Sequence, residues 1–154
     1  MSYSQVINKA REIRDLYFSP DYPLQTAFKK IFEDNNISIL FQENGEMLKK
    51  VGNNSYIISL PLNTSPLRDN YTIAHELGHF FLGHPLNEEY EIHRSLENNR
   101  IEREANIFAA ELLMPKDQFI DACNKCNNDP YAVASIFSVS PSAAAVRMST
   151  LKIV

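Results

Sequence analysis

His75, Glu76 and His79, set in the stretch Thr72–Gly83 (TIAHELGHFFLG), are the residues of this chain best spaced to do chemistry. On an α-helix, side chains four apart stand one turn apart on the same face. Two imidazoles so stacked can donate to one Zn²⁺, and Glu76, about 100° round the helix, can reach a water beside the ion. Ile73, Leu77, Phe80 and Phe81 fall on the opposite side and form an apolar stripe able to bury the back of the helix. Thr72 and the polar trio are left facing a cleft. Gly78 costs a helix interior about 1 kcal/mol against Ala, so its place inside the motif points to close packing against a neighbouring element.

Zinc in hydrolytic sites takes three protein ligands and keeps one position for water. His84 is one candidate for the third. Sites of the HExxHxxGxxH type place a third His ten residues after the first, but here Gly83 and His84 fall one residue off that register and Pro85 follows. A continued helix would turn His84 away from His75, so it reads as a helix-end histidine. His93 lies in an irregular segment and has no spacing in its favour. The other option is a carboxylate from a second helix. In Arg100–Leu113 (RIEREANIFAAELL), Ile101, Ala105, Phe108, Ala109 and Leu112 define a buried stripe, with Glu104 at one edge and Glu102 at the other. Either can turn inward, and periodicity leaves both open. Glu97 and Glu111, one heptad either side of Glu104, read as solvated.

The elements that must position these residues follow from pattern. Residues 4–18 have helical periodicity, and a second helix over 23–34 opens at Pro23. Asn36–Gln42, Met47–Val51 and Ser55–Leu60 are β-like, with Asn44-Gly45 as a hairpin signal between the first two. They predict a small three-stranded antiparallel sheet, whose third strand either offers an edge to a peptide or merely closes the sheet. Ser65-Pro66 has the form of an N-cap followed by Pro, so the metal helix is expected from there to Leu82. Residues 85–97 are expected as a loop over the site or a connection. Helices are predicted over 98–114, 116–125, 129–137 and 141–151. The fold class is α+β, mostly helical, with the sheet packed on the metal helix in a zincin-like arrangement. A single domain over 1–154 is expected, with a core of 1–115 and a helical tail of 116–154.

Hydrophobic and charged contents of 44% and 22% are those of a water-soluble globular protein. A net charge of −4 and a pI near 5.5 give no broad attraction to nucleic acid or anionic membranes. There is no apolar run long enough to span a membrane. The first 20 residues carry charges where an export signal needs an apolar core, so the cytoplasm is the expected compartment. Cys123 and Cys126 form one CxxC without a second, and read as incidental thiols.

HELGH followed by Glu102–Pro115 (EREANIFAAELLMP) resembles the ImmA/IrrE family of zinc metallopeptidases, gluzincin-type enzymes. Ala132–Met148 resembles that family's downstream helices more loosely. The resemblance implies a zinc-dependent metallo-endopeptidase, with His75, His79 and Glu104 as metal ligands and Glu76 as the catalytic proton acceptor. It implies as partner a helix-turn-helix transcriptional repressor of a stress, prophage or mobile-element regulon. A non-proteolytic antirepressor with structural zinc is the alternative, although an intact catalytic glutamate favours the enzyme. Residues 129–151 resemble a helix-turn-helix, but with Arg147 and Lys152 as their few basic residues direct nucleic-acid binding is not expected. Four residues past Glu104 stands Phe108, so an acid that orients a ligand histidine must come from elsewhere. An oxyanion donor is expected from residues 85–100, with His93 or Arg100 as candidates.

Overall fold

The computed structural model describes residues 1–43, 45–86 and 96–153, side chains at 96–98 apart. Helix α1 (Tyr3–Tyr17) opens on a capping box in which Ser2 and Gln5 satisfy each other's backbone N–H groups. Its Val6, Ala10 and Ile13 turn into the core. Helix α2 (Leu24–Asn35) buries Ala27, Phe28 and Ile31 and ends where Asn36 takes a left-handed conformation, φ 55°. That reversal feeds strand β1 (Ile37–Gln42), followed by β2 (Met47–Val51) and β3 (Ser55–Pro61).

The sheet is mixed, not antiparallel. Its order is β1-β3-β2, with β1 parallel to β3 and β2 antiparallel to it. Asn44-Gly45 still falls between β1 and β2, but the strands it joins do not pair, because β3 lies between them. Composition gives the reason. Ile58, Ser59 and Leu60 of β3 are buried in succession, as a strand covered on both faces must be, whereas Lys49 and Lys50 make β2 suited to an edge. Of the two roles open to the third strand, a free edge or a strand that closes the sheet, neither fits: β3 is central, and β1 and β2 are the edges.

Helix α3 (Pro66–Phe81) begins as expected, Ser65 Oγ accepting from the Arg68 N–H with Pro66 in the first turn. It packs along α4 (Leu96–Leu113). Gly78 is the point of closest approach. A Cβ there would lie 3.1 Å from the Cα and carbonyl oxygen of Ala105 and 3.2 Å from Phe108 Cβ. The remaining helices are α5 (Lys116–Lys125), α6 (Pro130–Phe137) and α7 (Pro141–Thr150). Phe119, Val133, Val139, Ala144 and Met148 of this tail join the same core as Leu77 and Phe108.

Two further contacts bind the tail inward. Buried Asn70 of α3 donates through Nδ2 to the Ser138 carbonyl, 2.9 Å away. Arg147 donates from Nη2 to Glu111 Oε1 at 3.2 Å and to the Met114 carbonyl at 3.0 Å. Glu111, expected on the solvated face, is 3% exposed, because its other oxygen accepts the Lys116 N–H at the start of α5. Cys123 is buried and Cys126 half-buried, both as free thiols. Among the described residues no helix is long and apolar enough to cross a membrane.

Candidate metal centre

Because α3 is helical throughout the motif, His75 and His79 stand side by side, their rings meeting edge to face with centroids 4.8 Å apart. Their Nε2 atoms are separated by 3.2 Å. Donor atoms of His75, Glu76 and His79 all lie within 4.8 Å of one another. His79 and Glu76 are buried, and His75 is nearly so.

The carboxylate that meets both ring nitrogens is that of Glu102. Its Oε2 lies 2.9 Å from His75 Nε2 and its Oε1 3.1 Å from His79 Nε2. Glu104, expected as the third ligand, turns the other way. Its Oε1 lies 2.8 Å from His84 Nε2, and its Oε2 accepts from Arg100 Nη1 at 2.9 Å. Residues two apart on a helix point about 200° from each other, so only one of these glutamates can face α3. The expectation of Glu104 beside the two histidines is corrected on that geometry.

The far side of each ring is also engaged. His75 Nδ1 lies 2.8 Å from Asn106 Oδ1, an oxygen that can only accept, so the ring carries its proton on Nδ1. His79 Nδ1 lies 2.9 Å from His84 Nδ1. His84 reaches it because the helix stops: Leu82 caps α3, Gly83 takes φ 70°, and the His84 N–H returns to the His79 carbonyl at 3.0 Å. A continued helix would have carried His84 away.

These contacts shape the electrostatics. Burial lifts the Glu76 carboxyl above the usual carboxylate range, with Glu102 and Glu46 adding to the rise against the pull of both histidines. Burial disfavours charge on His75, yet Glu102 and Glu76 outweigh it and raise its imidazole. His84 is held low by burial despite Glu104. For Glu104, burial pushes upward, but His84 and Arg100 more than offset it and leave the carboxyl low.

The donor set fits a divalent cation of the zinc type. Ligand atoms at zinc-like bond lengths on a tetrahedron stand about 3.3 Å apart; here the two Nε2 atoms are 3.2 Å apart, and each meets a different oxygen of the Glu102 carboxylate, His75 Nε2 meeting Oε2 at 2.9 Å and His79 Nε2 meeting Oε1 at 3.1 Å. Both Nδ1 atoms are committed to protein partners, which leaves two Nε2 atoms and a carboxylate facing one point.

The pattern of the IrrE N-terminal-like domain of the Peptidase M78 family matches residues 32–149. The chain belongs to this family. The ImmA/IrrE resemblance carried by HELGH and EREANIFAAELLMP is thereby shown, and a peptidase of metal-dependent type with a divalent-metal site follows from the family and the triad together. No curated protein matches the chain.

Sequence reasoning missed the role of Asn106, which had a visible signal, since it stands four after Glu102 and so shares its face. His84 is the helix-end histidine expected from the register, but its contacts with His79 and Glu104 depend on how the chain turns after α3 and had no signal in the spacing. His93 lies outside the described residues, as does the side chain of Glu97. Arg100 is engaged with Glu104.

Proposed function

We propose that this chain is a zinc metallo-endopeptidase in which His75, His79 and Glu102 hold the ion and Glu76 moves the proton. One observation carries the reading: the Glu102 carboxylate sits across both Nε2 atoms, each of whose rings is locked from behind. When bound, Zn²⁺ supplies a Lewis acid that acidifies a water and polarises the scissile carbonyl. Glu76, buried and raised in pKa, accepts a proton from the attacking water and delivers it to the departing amine. Asn106 keeps the His75 ring in the tautomer that presents Nε2. The half-exposed Glu102 supports a side of the site open to solvent, where water and substrate enter.

Substrate binding is assigned to the β2 edge. Glu46, just before β2, pairs with Arg68 in the first turn of α3 at 3.3 Å, which ties that edge to the metal helix. An extended peptide can add there by main-chain pairing. The substrate is a helix-turn-helix repressor of a stress, prophage or mobile-element regulon, as the family resemblance implies, and the cytoplasm is the compartment expected from the charged N-terminal stretch. The test is metal content measured beside cleavage of a repressor encoded next to this protein, with and without chelator. About one Zn²⁺ per chain and chelator-sensitive cleavage are expected. Derepression by a Glu76→Gln protein that no longer cleaves would instead favour the antirepressor.

A further inference from the structure

We infer that His84 and Glu104 form a relay that positions the ligand His79, so that Glu104 acts on the metal through two imidazoles and not by touching it. The inference rests on the metal reading above and adds two positioning residues to it. The chain of contacts runs His79 Nδ1 to His84 Nδ1 at 2.9 Å, His84 Nε2 to Glu104 Oε1 at 2.8 Å, and Arg100 Nη1 to Glu104 Oε2 at 2.9 Å. His79, His84 and Glu104 are all buried, Glu104 to 2% exposure.

Only one arrangement of protons satisfies every link. His79 presents Nε2 to the metal as a lone pair, so a neutral ring carries its proton on Nδ1 and donates it toward His84. Nδ1 of His84 must then accept, which puts the His84 proton on Nε2, where it donates to the Glu104 carboxylate. Arg100 donates to the second oxygen, with the Met1 ammonium 4.0 Å from the same atom. All donors point the same way, from metal to glutamate. The two ligand histidines are thus supported unequally: His75 by a neutral amide, His79 by a carboxylate at one remove. Partners of this kind fix ring orientation and raise ligand basicity.

Buried Glu104 could instead be a structural ion pair with Arg100 that happens to lie near His84. The full-length chain distinguishes the two. Zn²⁺ affinity is measured by chelator competition for wild type, His84→Phe, Glu104→Gln and the double variant, at a temperature where each apo protein is folded by circular dichroism. Each single change is expected to weaken Zn²⁺ binding by about 10- to 100-fold. The double variant should be no weaker than the worse single, because among the described residues Glu104 meets the ligand histidines through His84. Long-range ¹H–¹⁵N spectra of zinc-loaded wild type should show His79 protonated at Nδ1 and His84 at Nε2; this needs no variant to fold. Wild-type affinity in folded His84→Phe and Glu104→Gln, or a His84 protonated at Nδ1, would overturn the relay. If Glu102→Ala alone abolishes uptake, that outcome leaves the metal reading standing. Wild type that takes up no Zn²⁺ overturns both.

Discussion

Glu102 and Glu104 show how finely a site depends on helix phase. Both flank the buried stripe of α4, and which edge faces α3 is set by how the two helices cross, a property of neither segment alone. The clue within the segment was Asn106. A carboxylate ligand and the group that steadies a ligand histidine can come from one face, four residues apart; Glu102 has Asn106 at that spacing, where Glu104 has Phe108, which cannot accept from an imidazole. His75, Glu76 and His79 were legible because the motif lies inside one helix. Glu102→Ala is expected to lose most bound metal while the fold persists, measured by elemental analysis of purified protein; full zinc content in that variant would remove Glu102 from the ligand set. Glu76→Gln should keep metal and fold, and lower peptide hydrolysis by about 10²–10⁴-fold, the usual worth of a general base. Single-turnover rates on a cleaved repressor would reveal it, and a loss of less than tenfold would assign the proton transfer elsewhere.

At the scale of elements, helices were easier to read than the sheet. Proline and serine or aspartate at the starts of α3, α6 and α7 mark their boundaries locally. Strand order is not local. Asn44-Gly45 specifies a reversal but not which strand fills the space beside it, and burial of β3 on both faces decided that. Gly78 joins the two levels, since its absent Cβ lets the ligand-bearing faces of α3 and α4 meet. In Gly78→Ala the gain in helix propensity, about 1 kcal/mol, opposes overpacking of about 1–3 kcal/mol. The atoms in the way are backbone atoms of Ala105, so α4 must shift as a unit, and overpacking wins. Lower thermal stability and weaker Zn²⁺ binding are expected together, because Glu102 rides on the displaced helix. Unchanged zinc affinity would show that the helices separate without moving the ligands.

Across the whole molecule, the tail is tied to the metal domain through its core and through Arg147. That arginine is spent on Glu111 and the Met114 carbonyl, so it is not presented outward to a phosphate. Arg147→Met leaves Glu111 buried beside apolar groups, with exposed Arg11 3.7 Å away and the Arg14 charge nearby as cations that still act on it. Breaking a buried pair from one side costs about 3–5 kcal/mol, to be read from urea midpoints; a loss under 1 kcal/mol would mean that Arg11 or water replaces Arg147.

Specificity also belongs to this scale. β2 spans only Met47–Val51, and one of its sides is already taken by β3. Its other side can pair few main-chain groups of a substrate, so the edge contributes little binding for an arbitrary extended chain. Binding that a short edge does not supply must come from contacts remote from the scissile bond, and losing such contacts lowers turnover as well as affinity. Denatured casein, which offers many extended segments and no particular surface, is therefore expected to be cleaved slowly. A short peptide spanning the repressor's cleavage site should fall well below the intact repressor in kcat/KM, with kcat itself reduced. Zinc-loaded protein, the repressor encoded beside it, its cleavage-site peptide and casein make the comparison. Rapid digestion of casein, or a peptide cleaved as efficiently as the intact repressor, would show that the edge and the metal centre alone suffice for recognition.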